Sequence, residues 1–290
     1  MFKTTCFIAC LTLGSALTSL HAFGADKDVA YLGPDRDEKM DVYLPSNRQG
    51  KLAPAILLIH GGGWAHGDKA SQRMESIAET LVDEGYAVFS INYKLNVGSR
   101  DPDTNKYTLS YLAWPQNLYD CKSALRFIRA HADQYDVDPN RIALMGASAG
   151  GHLAMMLWST ADDADLNQGG LYTDQSNDVA CMINLYGPYD TDSQPLSPIM
   201  GATWDEKKAL WAVSSPKNHL SSGLAPILIL HGDADKTVPV KQSRALASQL
   251  EELGVTYTFV EIEDAPHSFD LQPKEMDLRP VVFEFLETNL

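Results

Sequence analysis

A serine flanked by glycines is the feature of this sequence that points most directly to chemistry. Residues 146–150 read GASAG, a G-x-S-x-G pattern with Ser148 at its centre. An apolar run that predicts a buried strand enters the pattern and a predicted helix leaves it, so the serine would stand exposed on a strained turn. A hydroxyl in that position can attack a carbonyl carbon once a base removes its proton. We therefore expect Ser148 to be a nucleophile; the alternative is a Gly/Ser-rich turn without chemistry.

A second glycine run follows the apolar segment at residues 55–59. It reads HGGGW over residues 60–64. Consecutive glycines let backbone N–H groups approach a ligand without side-chain interference, and such donors can hold the oxyanion that forms when Ser148 attacks a carbonyl. The N–H of Ala149 would lie beside them. A phosphate-binding loop is the alternative, but it needs a Lys-Ser/Thr ending or G-x-G-x-x-G spacing, and the run has neither.

Ser148 also needs a base, and the chain has eight histidines. His267 lies in the loop DAPHSF at residues 264–269, beyond the last predicted strand and at the same sheet edge as Ser148. A chain order of serine, acid and histidine places the base last, which favours His267. His60 is expected to brace the glycine run. The other histidines are expected in the N-terminal segment, at a strand end, on a helix or at the surface: His21, His66, His131, His152, His219 and His231.

The acid that orients the base is expected in the loop HGDADKTVP at residues 231–239. This loop follows the next-to-last predicted strand and offers Asp233 and Asp235. We favour Asp235, because Asp233 is closer to the strand end and can serve as a turn cap. Asp264 is near His267 in sequence, but in this chain order such a local neighbour rarely supplies the orienting hydrogen bond.

These four segments together resemble the α/β-hydrolase fold. Specifically, they are similar to bacterial esterases related to the hormone-sensitive-lipase group and to acetylxylan and feruloyl esterases. Supporting stretches are residues 41–45, 120–129, 138–142 and 186–190. The resemblance covers nearly all of the chain beyond its N-terminal segment. It implies a catalytic triad and an oxyanion hole: Ser148, Asp235 and His267 for the first, and Gly62, Gly63 and Ala149 for the second.

Two departures from the family pattern bear on the shape of the substrate site. Relatives of hormone-sensitive lipase carry a longer N-terminal helical cap than the residues before the first glycine run provide here. Residues 94–113 form a polar, irregular segment that is longer than the corresponding loop of family members. Loops of that length inside an α/β domain are usually functional or mobile.

Alternating strands and helices are predicted to hold these loops at one edge of a sheet. Segments rich in apolar, aromatic and β-branched residues predict strands at residues 41–44, 55–59, 86–93, 141–145, 179–186, 227–231 and 257–262. Helices are predicted at residues 71–84, from 114, from 149, at 240–253 and at 280–287. Because the central runs are apolar throughout, they indicate a mostly parallel sheet with helices on both faces. With the N-terminal hairpin counted as two strands, a short cap insertion at residues 187–225 falls between strands 6 and 7.

The N-terminal segment reads as a signal peptide over residues 1–24. A positive residue precedes a mostly apolar stretch at residues 6–17, and small residues precede a cleavage site that would leave Ala25 first. The stretch is too short to span a bilayer comfortably. A lipoprotein anchored at Cys10 is the alternative, but Phe7 is a poor residue for that signal. We expect a periplasmic or secreted protein with one catalytic domain over residues 25–290.

Composition and charge narrow the classes of function. The 290 residues are 44% hydrophobic and 21% charged, with a formal net charge of −15, which is typical of a globular protein with an acidic surface. Such a surface repels phosphate backbones and anionic lipids, so we expect neither a nucleic-acid partner nor a membrane span. Cys121 falls on a predicted helix and Cys181 on a predicted buried strand. Export permits a disulfide between them, and two free core thiols are equally consistent.

A calcium-like pattern lies in the segment after the predicted helix that follows Ser148. Asp163, Asp165, Asn167 and Asp174 roughly match oxygen-ligand spacing. The sixth position is Gln168 rather than glycine, and the last ligand is not a bidentate glutamate, so the EF-hand match fails. We expect an ordinary solvated loop there and neither a metal nor a cofactor in the protein.

The sequence thus predicts an exported serine carboxylester hydrolase that works through an acyl-enzyme. His267 would take the proton of Ser148, and activity would fall at acidic pH because only a neutral imidazole can do this. A serine peptidase or amidase of the same fold is an alternative, although such enzymes usually add a propeller or a large cap. A non-catalytic binding member is another, although it would typically lose the nucleophile or the base.

The expected substrates are small-molecule or oligosaccharide esters with short acyl groups, since no long cap exists to bury a fatty chain. Aromatic residues in loops would suit sugar faces or aromatic acyl groups, which suggests acetylated or feruloylated carbohydrates; simple core packing is the alternative. The candidates for such a rim are Trp64, Tyr107, Tyr111, Trp114, Tyr189, Trp204 and Trp211. The oligomeric state is left open by the sequence.

Overall fold

Strands and helices alternate along the chain in a computed structural model, which describes residues 24–46, 50–104, 107–192 and 208–290. The strands are β1 (Gly24–Val29), β2 (Met40–Leu44), β3 (Ala53–Ile59), β4 (Ala87–Ile91), β5 (Val97–Arg100), β6 (Tyr107–Tyr111), β7 (Val137–Ala147), β8 (Cys181–Leu185), β9 (Ile227–Gly232) and β10 (Tyr257–Ile262). The helices are α1 (Gln72–Asp83), α2 (Gln116–Ala130), α3 (Ala132–Tyr135), α4 (Ala149–Ser159), α5 (Lys208–Val213), α6 (Lys241–Leu253) and α7 (Arg279–Asn289).

Eight of these strands form one sheet in the order β1-β2-β4-β3-β7-β8-β9-β10. The pairs β1–β2 and β2–β4 are antiparallel, and every other neighbouring pair is parallel. The chain runs from β3 outward to β4 and then returns to β7 on the other side of β3. In open α/β sheets, ligands bind beyond the carboxyl ends of the strands at such a reversal. The glycine run follows β3 and Ser148 follows β7, so both lie at this point.

Two apolar layers cover the sheet, which confirms the predicted mostly parallel α/β architecture. Helices α2, α4 and α6 pack on one face, and α1 and α7 pack on the other. Successive residues of β3 alternate between the layers, with Leu57 facing the first and Leu58 the second. All residues of β4, β8 and β9 are buried, as expected for strands covered on both faces.

The long segment at residues 94–113 differs from the expectation of an irregular loop. It contains the antiparallel pair β5–β6, which forms a separate two-stranded sheet. Val97 and Tyr111 are partners in its register, yet their side chains are 54% and 41% exposed. Backbone pairing rather than burial of an apolar face holds this hairpin, so the hydrophobic pattern gives no strand signal there.

The two cysteines of the described residues lie on opposite sides of the sheet. Cys121 packs in the layer that contains α2 and α4, whereas Cys181 packs in the layer that contains α1 and α7. Both are free thiols and fully buried. Burial raises the pKa of Cys181 to about 12, so it stays a protonated, apolar-like group. The disulfide alternative is therefore wrong, because the sheet itself separates the two side chains.

The segment with the calcium-like spacing is closed by hydrogen bonds within the protein. The Oδ1 atom of Asp163 accepts the N–H groups of Asp165 and Leu166, and the Asn167 side chain lies 2.5 Å from the buried Lys122 Nζ. Across the described ranges there is no group of His, Cys, Asp or Glu residues arranged to hold a metal ion. The Asp163 oxygen thus serves the turn itself, and the Asn167 oxygen binds the Lys122 ammonium group of α2.

Some predictions fall outside the described ranges. The predicted signal peptide lies almost wholly within residues 1–23, and Trp204 lies within residues 193–207; nothing in the structure bears on either. Of the helices that the structure describes, none has the length and apolar character that a bilayer crossing requires. The signal peptide, the export and the domain boundary at residue 25 stay predictions.

Candidate active site

Ser148 lies on a tight turn between β7 and α4. Its backbone has φ 54° and ψ −119°, a conformation that non-glycine residues rarely adopt. A Cβ on Gly146 would lie 2.3 Å from the Gly150 carbonyl oxygen, and one on Gly150 would lie 2.2 Å from the Ile59 oxygen. Only glycine fits at either place. The Ser148 N–H donates to the Leu185 carbonyl of β8 at 2.9 Å, which fixes the turn against the sheet.

The structure brings the three sequence-predicted residues Ser148, His267 and Asp235 into one hydrogen-bonded row. His267 Nε2 lies 2.9 Å from Ser148 Oγ, and His267 Nδ1 lies 2.6 Å from Asp235 Oδ2. An ionised carboxylate only accepts, so Nδ1 carries the hydrogen and Nε2 is left to accept the serine proton. The side chain of Asp235 is fully buried, whereas that of His267 is 14% exposed.

Asp235 is held as a buried anion by three hydrogen-bond donors and by the close approach of a second histidine. Its Oδ1 accepts the N–H groups of Thr237 at 2.8 Å and Val238 at 2.9 Å. Its Oδ2 faces His267 and also lies 3.2 Å from the Nε2 atom of His231. Burial opposes ionisation of Asp235, but the contacts with His231, His267 and Val238 outweigh it and hold the pKa well below its usual range. The surrounding donors therefore favour the ionised carboxylate.

His231 is a contributor to this site that the sequence analysis treats only as a strand end. It is fully buried at the end of β9. Its Nε2–H donates to the Val238 carbonyl at 2.8 Å, and its Nδ1 accepts from the Ser243 hydroxyl at 2.7 Å. The ring thus clamps the turn that carries Asp235. A histidine four residues before the acid, ending a fully buried strand, is the signal that could have indicated this role.

The acid loop and the histidine loop are tied together next to this row. Asp233, the alternative acid, accepts the N–H of Asp264 through its Oδ1 at 2.7 Å. A Cβ on Gly232 would lie 2.1 Å from the Ala265 carbonyl oxygen, so glycine is needed for this close approach. Asp233 and Asp264 thus link the loops, and Asp235 is the carboxylate that the structure places on His267.

The glycine run at residues 60–64 forms one wall of the site. Gly62, Gly63 and Trp64 have φ values of 126°, 62° and 58°, a succession of left-handed conformations that glycine favours. Both glycines line the same cavity as Ser148. Ala149 is the first residue of α4, where an N–H has no partner within the helix. The three predicted oxyanion donors are therefore backbone groups at the serine turn and the glycine wall.

A buried histidine links the glycine run to the rest of the domain. The Trp64 indole N–H donates to His152 Nδ1 at 3.2 Å, and His152 Nε2–H donates to the Ser214 carbonyl at 2.7 Å. His152 is fully buried in α4. Burial lowers the pKa of His152 to about 4, although the hydrogen bond to Ser214 opposes this shift. A neutral ring therefore positions Trp64 and, with it, the glycines before it.

This lowered pKa predicts a specific loss of stability in acid. Between about pH 6.5 and about pH 4, His152 is protonated in the unfolded chain but stays neutral in the folded protein. The free energy of unfolding therefore falls as the pH falls through that window. We expect the wild-type protein to lose about 2 kcal/mol more unfolding free energy between pH 7.5 and 4.5 than His152→Gln does. Urea unfolding of both proteins at each pH measures the difference; parallel losses would contradict it.

The cavity around Ser148 has a volume of about 620 Å³. Trp64, one of the aromatic residues predicted at the rim of the site, lines this cavity. Tyr189 and Trp211 do not line it: Trp211 is fully buried in the core, and the Tyr189 hydroxyl donates to the Gln249 side chain at 2.8 Å. Both were expected at the rim because they lie in an insertion near the site. Burial of their large ring area decides their inward placement instead.

Comparisons with known proteins agree with this architecture. The structure of a truncated carbohydrate esterase from gut microbiota is similar with a TM-score of 0.78 and 25% identity, covering 93% of this chain and 98% of that one. Thermogutta terrifontis esterase 2, solved phosphonylated by cyclosarin, has a TM-score of 0.73 and 27% identity, covering 91% of this chain and 94% of that one. Esterase LipC of Mycobacterium tuberculosis is 28% identical over 82% of this chain.

The chain spans 59% of the length of LipC and 57% of the length of the related esterase LipQ of the same organism. The sequence model of the BD-FAE family matches residues 40–250, a range that runs from β2 to within α6 and includes the serine turn, the glycine run and Asp235. His267 lies beyond the matched range and joins the site through the loop after β10. The chain belongs to the BD-FAE family, and its fold is that of the α/β-hydrolases.

Proposed function

We propose that this protein is a serine carboxylester hydrolase with Ser148, His267 and Asp235 as its catalytic triad. The observation that carries the proposal is the row of hydrogen bonds from Ser148 Oγ to His267 Nε2 at 2.9 Å and from His267 Nδ1 to Asp235 Oδ2 at 2.6 Å. This row opens into a cavity of about 620 Å³ beside the glycine run. The esterase relatives support the same reaction class.

In the proposed mechanism, His267 Nε2 takes the proton of Ser148 as Oγ forms a bond to the ester carbonyl carbon. The carbonyl oxygen becomes an oxyanion, which the N–H groups of Gly62, Gly63 and Ala149 stabilise. The tetrahedral intermediate collapses, His267 gives the proton to the departing alcohol oxygen, and an acyl-Ser148 remains. Water then repeats the sequence, with His267 as base, and releases the acid. Asp235 stabilises the imidazolium at each stage.

For substrates, we propose esters of carbohydrates with short acyl groups. The cavity is bounded by the glycine run and by Trp64, whose indole N–H is already bonded to His152, so the ring presents an apolar surface. The likeness to a gut carbohydrate esterase supports a saccharide as the alcohol. The structure of T. terrifontis esterase 2 with bound propionate, 25% identical, supports a short acyl group.

Initial rates on matched aryl esters test this proposal. We expect kcat/KM for the acetyl ester to exceed that for the octanoyl ester by about tenfold or more, since an acyl chain too long for its pocket would shift the ester carbonyl away from Ser148. Release of acetate from acetylated xylan, compared with release from an aryl acetate, tests the saccharide. A feruloyl ester completes the series. A preference for the octanoyl ester would contradict the short-acyl assignment, and turnover of none of these esters would contradict the function.

His231 is expected to be a positioning residue for this triad. In His231→Leu, the Val238 carbonyl loses its donor and the carboxylate of Asp235 loses the imidazole that lies 3.2 Å away, so kcat should fall about 10- to 100-fold with little change in KM. His231→Gln places an amide N–H near the former Nε2 and should retain more activity.

The rate in this experiment is expressed per active site titrated with an organophosphonate. If His231 had only a structural role, its replacement would produce misfolded protein. Misfolded chains do not react with the titrant, so they do not lower the rate per titrated site. Equal kcat values per titrated site in wild type and His231→Leu would contradict the positioning role.

A further inference from the structure

A second, more open cavity adjoins the one around Ser148. Its volume is about 510 Å³, and the two cavities share Ser71, Arg73 and Ser268 as lining residues. We call the second cavity the side groove; its further walls are Gln72, Ser76, Phe269, Asp270 and Pro273. A molecule bound at Ser148 can therefore extend past Arg73 into the side groove.

The two cavities differ in the character of their walls. Trp64, Met74 and Val238 give the Ser148 cavity apolar surfaces, which suit the acyl group of an ester. The side groove is lined mainly by hydroxyl, amide and charged side chains, which suit a polyhydroxylated alcohol. The position of the side groove next to the serine thus fits the alcohol portion of the substrate.

Arg73, at the junction of the two cavities, differs from the other arginines. Every other arginine whose side chain the structure describes donates to a carboxylate or a carbonyl: Arg36, Arg126, Arg129, Arg141, Arg244 and Arg279. Arg73 makes no hydrogen bond or ion pair with any described residue, although the chain carries a net charge of −15. An acidic protein offers many carboxylates to a guanidinium, yet Arg73 lines both cavities without a carboxylate partner among the described residues.

The carboxylates that line the same cavities are bonded to other groups. The Oδ2 atom of Asp270 accepts from the Ser76 hydroxyl at 3.1 Å, and its Oδ1 accepts the Gln272 N–H at 2.8 Å. The two oxygens of Asp68 accept from the Ala70 N–H and the Asn92 amide. Neither carboxylate is within ion-pair distance of Arg73, so its planar donors are available to a ligand. Two N–H groups of a guanidinium can donate to the two oxygens of one carboxylate in a bidentate pair.

We propose that Arg73 binds a carboxylate on the alcohol portion of the substrate. The preferred substrates would then be acylated saccharides that contain a uronic acid, with the acyl group in the Ser148 cavity and the acidic sugar in the side groove. This inference rests on the proposed esterase function and adds to it the charge of the substrate. The local positive charge also offsets the repulsion that an acidic protein exerts on an acidic ligand.

The test compares two substrates that differ only in charge: a mono-O-acetylated methyl glucuronoside and the methyl glucoside acetylated at the same position. We expect wild-type kcat/KM to be about tenfold higher for the acidic ester, mainly through KM, because a charge-assisted pair is added. Arg73→Gln should abolish this ratio, and Arg73→Lys should keep part of it. Lys51→Gln is the matched control. Lys51 is exposed just before β3, at the end of that strand opposite to the glycine run, and its loss should leave the ratio unchanged.

A wild-type ratio near one, or a ratio that survives Arg73→Gln, would overturn the proposal. Hydrolysis of an aryl acetate by the wild type separates this failure from failure of the esterase function. Calorimetric binding of the acetylated glucuronoside to Ser148→Ala protein decides the proposal without turnover. We expect Arg73→Gln in that background to weaken binding about tenfold, and unchanged binding would contradict the role of Arg73.

Discussion

Replacement of Ser148 by alanine is expected to lower the turnover number for ester hydrolysis by about 10⁴-fold or more. The change removes the only atom that forms the acyl bond and leaves His267 without a proton to accept. The oxyanion donors and the cavity remain, so substrate binding should persist. Steady-state rates on an aryl acetate measure the loss.

The fold should tolerate this variant, since the Ser148 backbone conformation is held by its neighbours and alanine adds no atoms. Thermal unfolding of the variant within a few degrees of the wild type would show that the lost rate is chemical. Ser110→Ala is a suitable control, because that hydroxyl donates to the Val97 carbonyl within the hairpin and neither residue lines the Ser148 cavity. Ester turnover that is unchanged in Ser148→Ala would contradict the assignment.

Replacement of Asp235 by asparagine is expected to lower kcat by about 10³- to 10⁴-fold. The structure gives a specific reason. The N–H groups of Thr237 and Val238 bind the Oδ1 atom, so they would hold the carbonyl oxygen of the new amide in that place. The amide NH₂ would then face His267 Nδ1, which would have to accept. The ring hydrogen would move to Nε2, and His267 could no longer take the proton of Ser148.

Asp233→Asn is the matched control for this variant. The Asp233 carboxylate accepts the Asp264 N–H, and an amide oxygen can keep that bond without touching His267. We expect kcat within about threefold of the wild type for this control. Comparable losses in both variants would contradict the assignment of Asp235 as the acid, and so would a full rate in Asp235→Asn.

Much of the fold could be predicted because the buried strands coincide with apolar runs in the sequence. The runs at residues 55–59 and 227–230 are apolar throughout, and the structure buries all of β9 and nearly all of β3 between two helix layers. The turn at Ser148 was predictable for a similar reason: its glycines are required by contacts with the flanking strand and helix, so they accompany the turn in the sequence.

The hairpin β5–β6 could not be predicted in this way. Its strands bury little of their apolar surface, and Val97 and Tyr111 lie exposed, so no alternation of buried and exposed residues marks it. The inward position of Trp211 could not be predicted either, for a different reason. An aromatic residue in an insertion near a site can face the ligand or the core, and only the three-dimensional packing decides which.

The supporting contacts of the site depend on tertiary distances that sequence spacing does not encode. His231 reaches Asp235 because β9 ends in a turn that folds back over its own last residues. The isolation of Arg73 is likewise a property of the assembled cavities, because nothing in residues 71–75 states which carboxylates will lie nearby. Residues that act through a partner are therefore harder to predict than residues that form a motif.

Mass spectrometry after treatment with a fluorophosphonate tests the central claim most directly. If His267 and Asp235 activate Ser148, the reagent should form one stoichiometric adduct per chain on the peptide that contains Ser148, with release of fluoride. Pre-incubation with a slowly turned-over ester should protect that peptide, and Ser148→Ala should not react. An intact protein of unchanged mass, or an adduct on another residue that Ser148→Ala retains, would contradict the account.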